Sequence, residues 1–62
     1  MEALTNERIL DRAISATHDW SVANQTNELG ANGEPMNWII CEAIVRALTH
    51  AKLYLAARHK LE

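Results

Sequence analysis

The apolar positions in the second half of the chain predict one long helix. Between residues 35 and 60 they recur at spacings of three and four, the period that keeps side chains on one face of an α-helix. Pro35 suits a first helical position, because its missing N–H would find no partner within the helix there. The main face is formed by Met36, Ile40, Ala43, Ile44, Ala47, Leu48, Ala51 and Leu55. We predict a helix over about 35–60.

This helix carries more apolar surface than one partner helix can cover. Further apolar side chains lie outside the main face, and a helix that is apolar around most of its circumference is normally buried on more than one side. We therefore expect a second copy of the chain, or another protein, to pack against it. The candidate interface residues are Trp38, Ile39, Val45, Leu53 and Tyr54.

The first half shows a weaker helical pattern. Ile9, Leu10, Ala13, Ile14 and Thr17 follow helical spacing, and either Thr5 or Asn6 could cap the helix. Residues 21–28 are mostly polar, and two interpretations compete: the helix continues to Leu29, or it breaks near Asp19 to Ser21. We favour continuation over about 5–29, because no Gly or Pro interrupts it. The residues along the seam between the helices would then be Trp20, Ala23, Asn24 and Asn27, with the asparagines setting the register.

Residues 30–34 hold the turn signals. Gly30 is expected to end the first helix in a left-handed conformation, and Asn32-Gly33 is a tight-turn dipeptide. Two helices joined by so short a turn lie antiparallel. The predicted fold class is all-α, a single-domain antiparallel helical hairpin that dimerises into a four-helix bundle. The expected register places Ala23 near Cys41.

Charge is distributed unevenly although the net charge is only −2. Residues 1–14 and 46–60, at the end of the hairpin where the termini meet, together carry +3, whereas residues 15–45 carry −4. Antiparallel pairing of two hairpins would neutralise this asymmetry. The alternative is that the basic end binds an anionic ligand, such as a nucleotide or a nucleic-acid phosphate. The candidate anion-binding residues are Arg8, Arg12, Lys52, Arg58 and Lys60.

Size and composition restrict the remaining possibilities. A chain of 62 residues buries a small core, and the lone Cys41 cannot form an intrachain disulfide, so oligomerisation is the expected source of extra stability. A single cysteine and the lack of a membrane-length apolar run favour a cytoplasmic location without membrane association. Leu61-Glu62 resembles a vector-derived junction before a purification tag, and we expect it to have no functional role.

No arrangement of residues predicts chemistry. His18, His50 and Asp19 lack the spacing of a metal site, no glycine loop cradles phosphate, and two helices imply no catalytic pocket. We predict no enzyme, metal or cofactor, and a helix-turn-helix DNA reader is poorly supported. The expected function is that of a small interaction module, a regulator, adaptor or inhibitor of bacterial or phage origin. It would act through helical surfaces, as a homodimer with a protein partner.

Overall fold

The protein is an all-helical hairpin. The computed structural model describes residues 5–61, with side chains for residues 5–58. Helix α1 spans Asn6–Ala23 and helix α2 spans Met36–Leu61, and the two pack against each other. Contacts between them run from Ser21 with Asn37 at the loop to Asp11 with Lys52 near the termini, so the helices are antiparallel. The all-α hairpin prediction is confirmed.

Helix α1 begins as predicted but ends earlier. The side chain of Thr5 caps it by accepting a hydrogen bond from Arg8 N at 3.2 Å. The helix runs through Asp19 to Ser21 without a break, yet it ends at Ala23, so the predicted extension to Leu29 is wrong. The Asn24 side chain donates to Trp20 O at 2.8 Å, which satisfies a carbonyl of the last turn. Thr26 Oγ1 then accepts from Glu28 N at 3.1 Å, an alternative to helical bonding that threonine readily adopts.

The loop over residues 24–35 has its own backbone order. Leu29 and Pro35 form an isolated antiparallel bridge, flanked by hydrogen bonds from Gly30 N to Glu34 O and from Met36 N to Glu28 O, both 2.8 Å. The predicted turn lies inside this bridge. Gly33 adopts a φ of 83°, a left-handed conformation that glycine tolerates without strain.

Gly30 has a different role from the one its position suggested. It does not end α1 and does not have a positive φ. A Cβ placed on Gly30 would overlap Cδ1 of Ile39, so the missing side chain is what lets the loop fold closely over α2. Helix α2 itself starts one residue later than predicted. Pro35 precedes it and its carbonyl accepts the first bonds, from Trp38 N at 3.0 Å and Ile39 N at 3.2 Å.

The seam between the helices is polar at its loop end. Asn37 is 3% exposed, and its Nδ2 donates to Ser21 O at 3.0 Å and to Ser21 Oγ at 3.1 Å. Ser21 Oγ donates back to Asn37 O at 3.3 Å. We call this reciprocal set the Ser21–Asn37 clasp. Thr17, also buried, donates to Ala13 O at 2.7 Å within its own helix.

The predicted seam and register are therefore wrong in detail. Trp20, Ala23, Asn24 and Asn27 are all exposed, and the buried seam residues of α1 are Thr17 and Ser21. Cys41 faces His18, five residues before the expected Ala23. The shift arises because the connection covers residues 24–35 rather than 30–34.

The hairpin is a plate one helix thick. Its Cα atoms extend over 46 × 27 × 7 Å. Among the described residues Cys41 is the only buried apolar one, and the predicted main face of α2 is largely uncovered, since Ile40 and Ile44 are exposed. The seam lies along Asn37, Cys41 and Leu48, so of these three only Leu48 belongs to the predicted main face. Most large apolar side chains therefore remain accessible on the two broad sides of the plate.

We predict that Asn37→Ala destabilises the protein by about 1–3 kcal/mol, because it removes the two buried hydrogen bonds that Asn37 Nδ2 donates to Ser21. Urea unfolding followed by circular dichroism at a fixed protein concentration measures this change. Asn27→Ala is the matched control, since Asn27 is an exposed loop residue, and it should shift stability by less than about 0.5 kcal/mol. Equal stability of the two variants would contradict the role assigned to the clasp.

Candidate functional site

One broad side of the plate contains a groove between the helices. It has a volume of about 610 Å³. Helix α1 contributes His18, Ser21 and Val22 to its lining, and α2 contributes Trp38, Cys41, Glu42, Val45, Arg46, Thr49 and His50. We call this side the groove face. The largest apolar side chain in its lining is that of Trp38, which is 59% exposed.

The opposite side, which we call the flat face, is mostly uncharged, with Arg58 one turn beyond Tyr54 and in contact with its ring. In α1 its residues are Ile9, Ala13, Ala16 and Trp20, and in α2 they are Ile40, Ile44, Ala47, Ala51 and Tyr54, each set separated by alternating steps of four and three. A shallow hollow between Ala16, Thr17, Trp20 and Ile44 shows that both helices contribute to this side. Every one of the nine flat-face residues is uncharged.

The groove floor brings a thiol and an imidazole together. Cys41 Sγ lies 3.7 Å from His18 Nδ1, and Thr49 and His50 line the same groove. In nucleophilic catalysis by a cysteine–histidine pair, a third group commonly orients the base. The nearby carboxylate Glu42 instead pairs with Arg46 at 2.8 Å, and within residues 5–58 the hydrogen bonding of His18 is limited to Cys41.

The sequence analysis predicts neither the groove nor the His18–Cys41 contact, because two helices by themselves imply no pocket. The contact can be predicted only when the alignment of α1 along α2 is known, because the two residues belong to different helices. No group of three or more His, Cys, Asp or Glu residues in the described part of the chain is placed to hold a metal ion. The geometry supports binding of apolar surface better than it supports chemistry.

The predicted interface residues do not form one patch. Trp38 and Val45 line the groove face, and Leu53 follows Val45 by eight residues, which places it toward the same side. Tyr54 belongs to the flat face and is 60% exposed. Ile39 packs over Gly30 and is half-buried by its own loop. The wide apolar surface of α2 is thus divided between two faces.

The predicted anion-binding residues are also separated. Lys52 Nζ donates to Asp11 Oδ1 across the helices, and the guanidinium of Arg58 lies 5.7 Å from the ring centroid of Tyr54. Arg8 and Arg12 are exposed on α1, on the side turned away from the seam residues Thr17 and Ser21. The side chain of Lys60 lies outside the described residues, as does Glu62 of the suspected vector junction, whereas Leu61 is the last residue of α2.

Comparison with known proteins identifies no similar protein. The chain matches no protein-family model, no curated protein and no solved structure. Within the described residues, neither helix has the length and apolarity needed to cross a membrane.

We predict that Cys41 reacts with a water-soluble thiol reagent at least about tenfold more slowly in the folded protein than in urea, since access requires the helices to open. Cys41 is 7% exposed at the seam, which is the reason for the protection. Absorbance-monitored modification with and without denaturant gives the two rates. Similar rates would mean that the thiol is not covered in the way the structure shows.

Proposed function

We propose that this protein is a small non-catalytic interaction module, a cytosolic regulator, adaptor or inhibitor, that self-associates and presents helical surface to a protein partner. The observation that supports this proposal most strongly is the inverted distribution of polarity. Within residues 5–58 the buried residues are Thr17, Ser21, Asn37 and Cys41, whereas large apolar side chains are exposed on both faces. Exposed apolar surface on this scale is typical of proteins whose surfaces are covered by other chains.

Stability provides the physical reason for self-association. Domains of this size obtain little stability from a single core and need additional burial, metal or cross-links. Each large apolar side chain that moves from water into an interface contributes about 1.5–3 kcal/mol. Covering one face with protein would supply the core that the isolated plate does not contain.

The groove face supports the interaction role. Trp38 projects beside a concave apolar surface, and aromatic side chains next to such pockets are common energetic centres of protein interfaces. The polar side chains at its rim, including the Glu42–Arg46 pair, resemble the polar border that surrounds an apolar interface centre. A partner helix could place apolar residues in this groove.

Anion binding is the weaker proposal. Of its candidate residues, Lys52 already pairs with Asp11 and Arg58 contacts Tyr54. An anion would have to displace these contacts. A phosphate site built from these residues would also weaken steeply as salt rises, because binding would depend on charge.

We predict that the purified protein is a dimer at tens of micromolar and that Arg8→Glu leaves it a dimer, because Arg8 is turned away from the seam and association depends on apolar burial. Native mass spectrometry and light scattering after size exclusion measure the mass. Raising the salt to molar concentration should leave the dimer intact. A monomer under all these conditions would remove the self-association half of the proposal, and a bound nucleotide-sized mass would favour the anionic-ligand alternative.

A further inference from the structure

We infer that the flat face is the surface on which a second copy of this chain docks, with the two loops at opposite ends, and that the groove face remains outward. This inference rests on the proposed self-association and assigns it to one side of the plate. The surface consists of Ile9, Ala13, Ala16, Trp20, Ile40, Ile44, Ala47, Ala51 and Tyr54. The occupant is a second hairpin, which would make a four-helix bundle.

The difference in charge between the faces favours the flat one. Covering the groove face with another plate would bring the Glu42–Arg46 pair and the Asp11–Lys52 pair toward an apolar surface. Removing such groups from water is costly even when they are paired. The nine residues of the flat face impose no comparable cost, because none of them is ionisable at neutral pH. Arg58, which contacts Tyr54 at the C-terminal end of this face, is exposed.

The spacing of the flat face suits helix-on-helix packing. Steps of four and three in both helices match the alternation at the seams of four-helix bundles. Pairs of small residues lie between large ones, with Ala13 and Ala16 between Ile9 and Trp20 in α1. Side chains of a facing copy can enter the spaces above the alanines, so the layers can interdigitate.

The available area is sufficient for a stable dimer. The plate measures 46 × 27 Å across its broad side. Stable interfaces bury about 800 Å² per partner, which is less than this footprint. A face-to-face dimer would also turn a plate one helix thick into two layers with a core between them.

Charge at the ends of the plate sets the orientation. The loop over residues 24–35 carries the carboxylates Glu28 and Glu34 and no basic residue. Residues 43–58 of α2 carry Arg46, Lys52 and Arg58 and no acidic residue. Placing the loop of one copy over the basic end of the other brings opposite charges together, whereas parallel packing would place like charges side by side. A two-fold axis across the plate produces this arrangement.

Matched alanine substitutions test the face assignment. Ala47 belongs to the flat face, whereas Ala56 follows Trp38 by five full turns and lies on the groove side, and both are exposed in α2. We expect Ala47→Glu to raise the dimer dissociation constant at least about a hundredfold, because its carboxylate would be buried without a partner. Ala56→Glu should change it by less than about threefold. The reverse ranking would overturn the face assignment while leaving self-association in place.

Tryptophan quenching tests the same assignment without a destabilising charge. Trp20 lies on the flat face and Trp38 on the groove face. In a Trp38→Phe variant, acrylamide should quench Trp20 less as protein concentration rises through the dimerisation range. In a Trp20→Phe variant, quenching of Trp38 should stay constant over that range. Protection of Trp38 instead would mean that the groove face is the interface, and a monomer at every concentration would refute both the assignment and self-association.

A spin label distinguishes the two orientations. The label is attached at Ala31→Cys in the loop, in a Cys41→Ala background that still shows the wild-type dimer mass. Opposed loops should give an intermolecular distance near the 46 Å length of the plate. A short distance between the labels would show that the loops lie together and would overturn the antiparallel arrangement.

Discussion

The Ser21–Asn37 clasp is the interaction on which the rest of the structure depends. Buried amide and hydroxyl groups must be paired, and Asn37 finds its partners at the backbone and side chain of a single residue. A slip of one helix along the other would separate these groups and leave them buried without partners. An apolar seam of similar shape would tolerate such a slip more readily. The clasp therefore fixes the register, and the register places His18 beside Cys41.

A polar seam has a consequence for the apolar residues. Because Thr17, Ser21 and Asn37 occupy the space between the helices near the loop, large apolar side chains are exposed on the two sides of the plate, among them Ile9, Ile40, Ile44, Trp20 and Trp38. The hairpin therefore holds its shape by hydrogen bonding and leaves most of its hydrophobic surface for other contacts. This division suits a module whose stability and binding both come from association, since the same apolar burial serves both.

The two faces differ in the kind of contact they favour. The flat face is mostly uncharged and periodic, which suits a symmetric contact between identical helices. The groove face is concave, contains a tryptophan and two histidines, and is bordered by ion pairs, which suits a contact with a different, more specific surface. A bundle built on the flat face would present two such grooves on its outer sides. Each groove would be available to a partner without competing with dimerisation.

Several features of the protein could be predicted from the sequence alone: two helices, a first helix capped by Thr5 or Asn6, the turn around Asn32-Gly33 and the excess of apolar surface on α2. These features depend on spacing and on local chemistry, which a single chain displays directly. Other features could not be predicted without the tertiary structure: α1 ends at Ala23, Asn37 lies in the seam and Ile39 packs on Gly30. Asn37 interrupts an otherwise apolar stripe, and nothing local shows that a serine sixteen residues earlier would satisfy it. The division into two faces could not be predicted from the sequence either, because it depends on the rotation of each helix about its axis. That rotation is fixed by the contacts between α1 and α2.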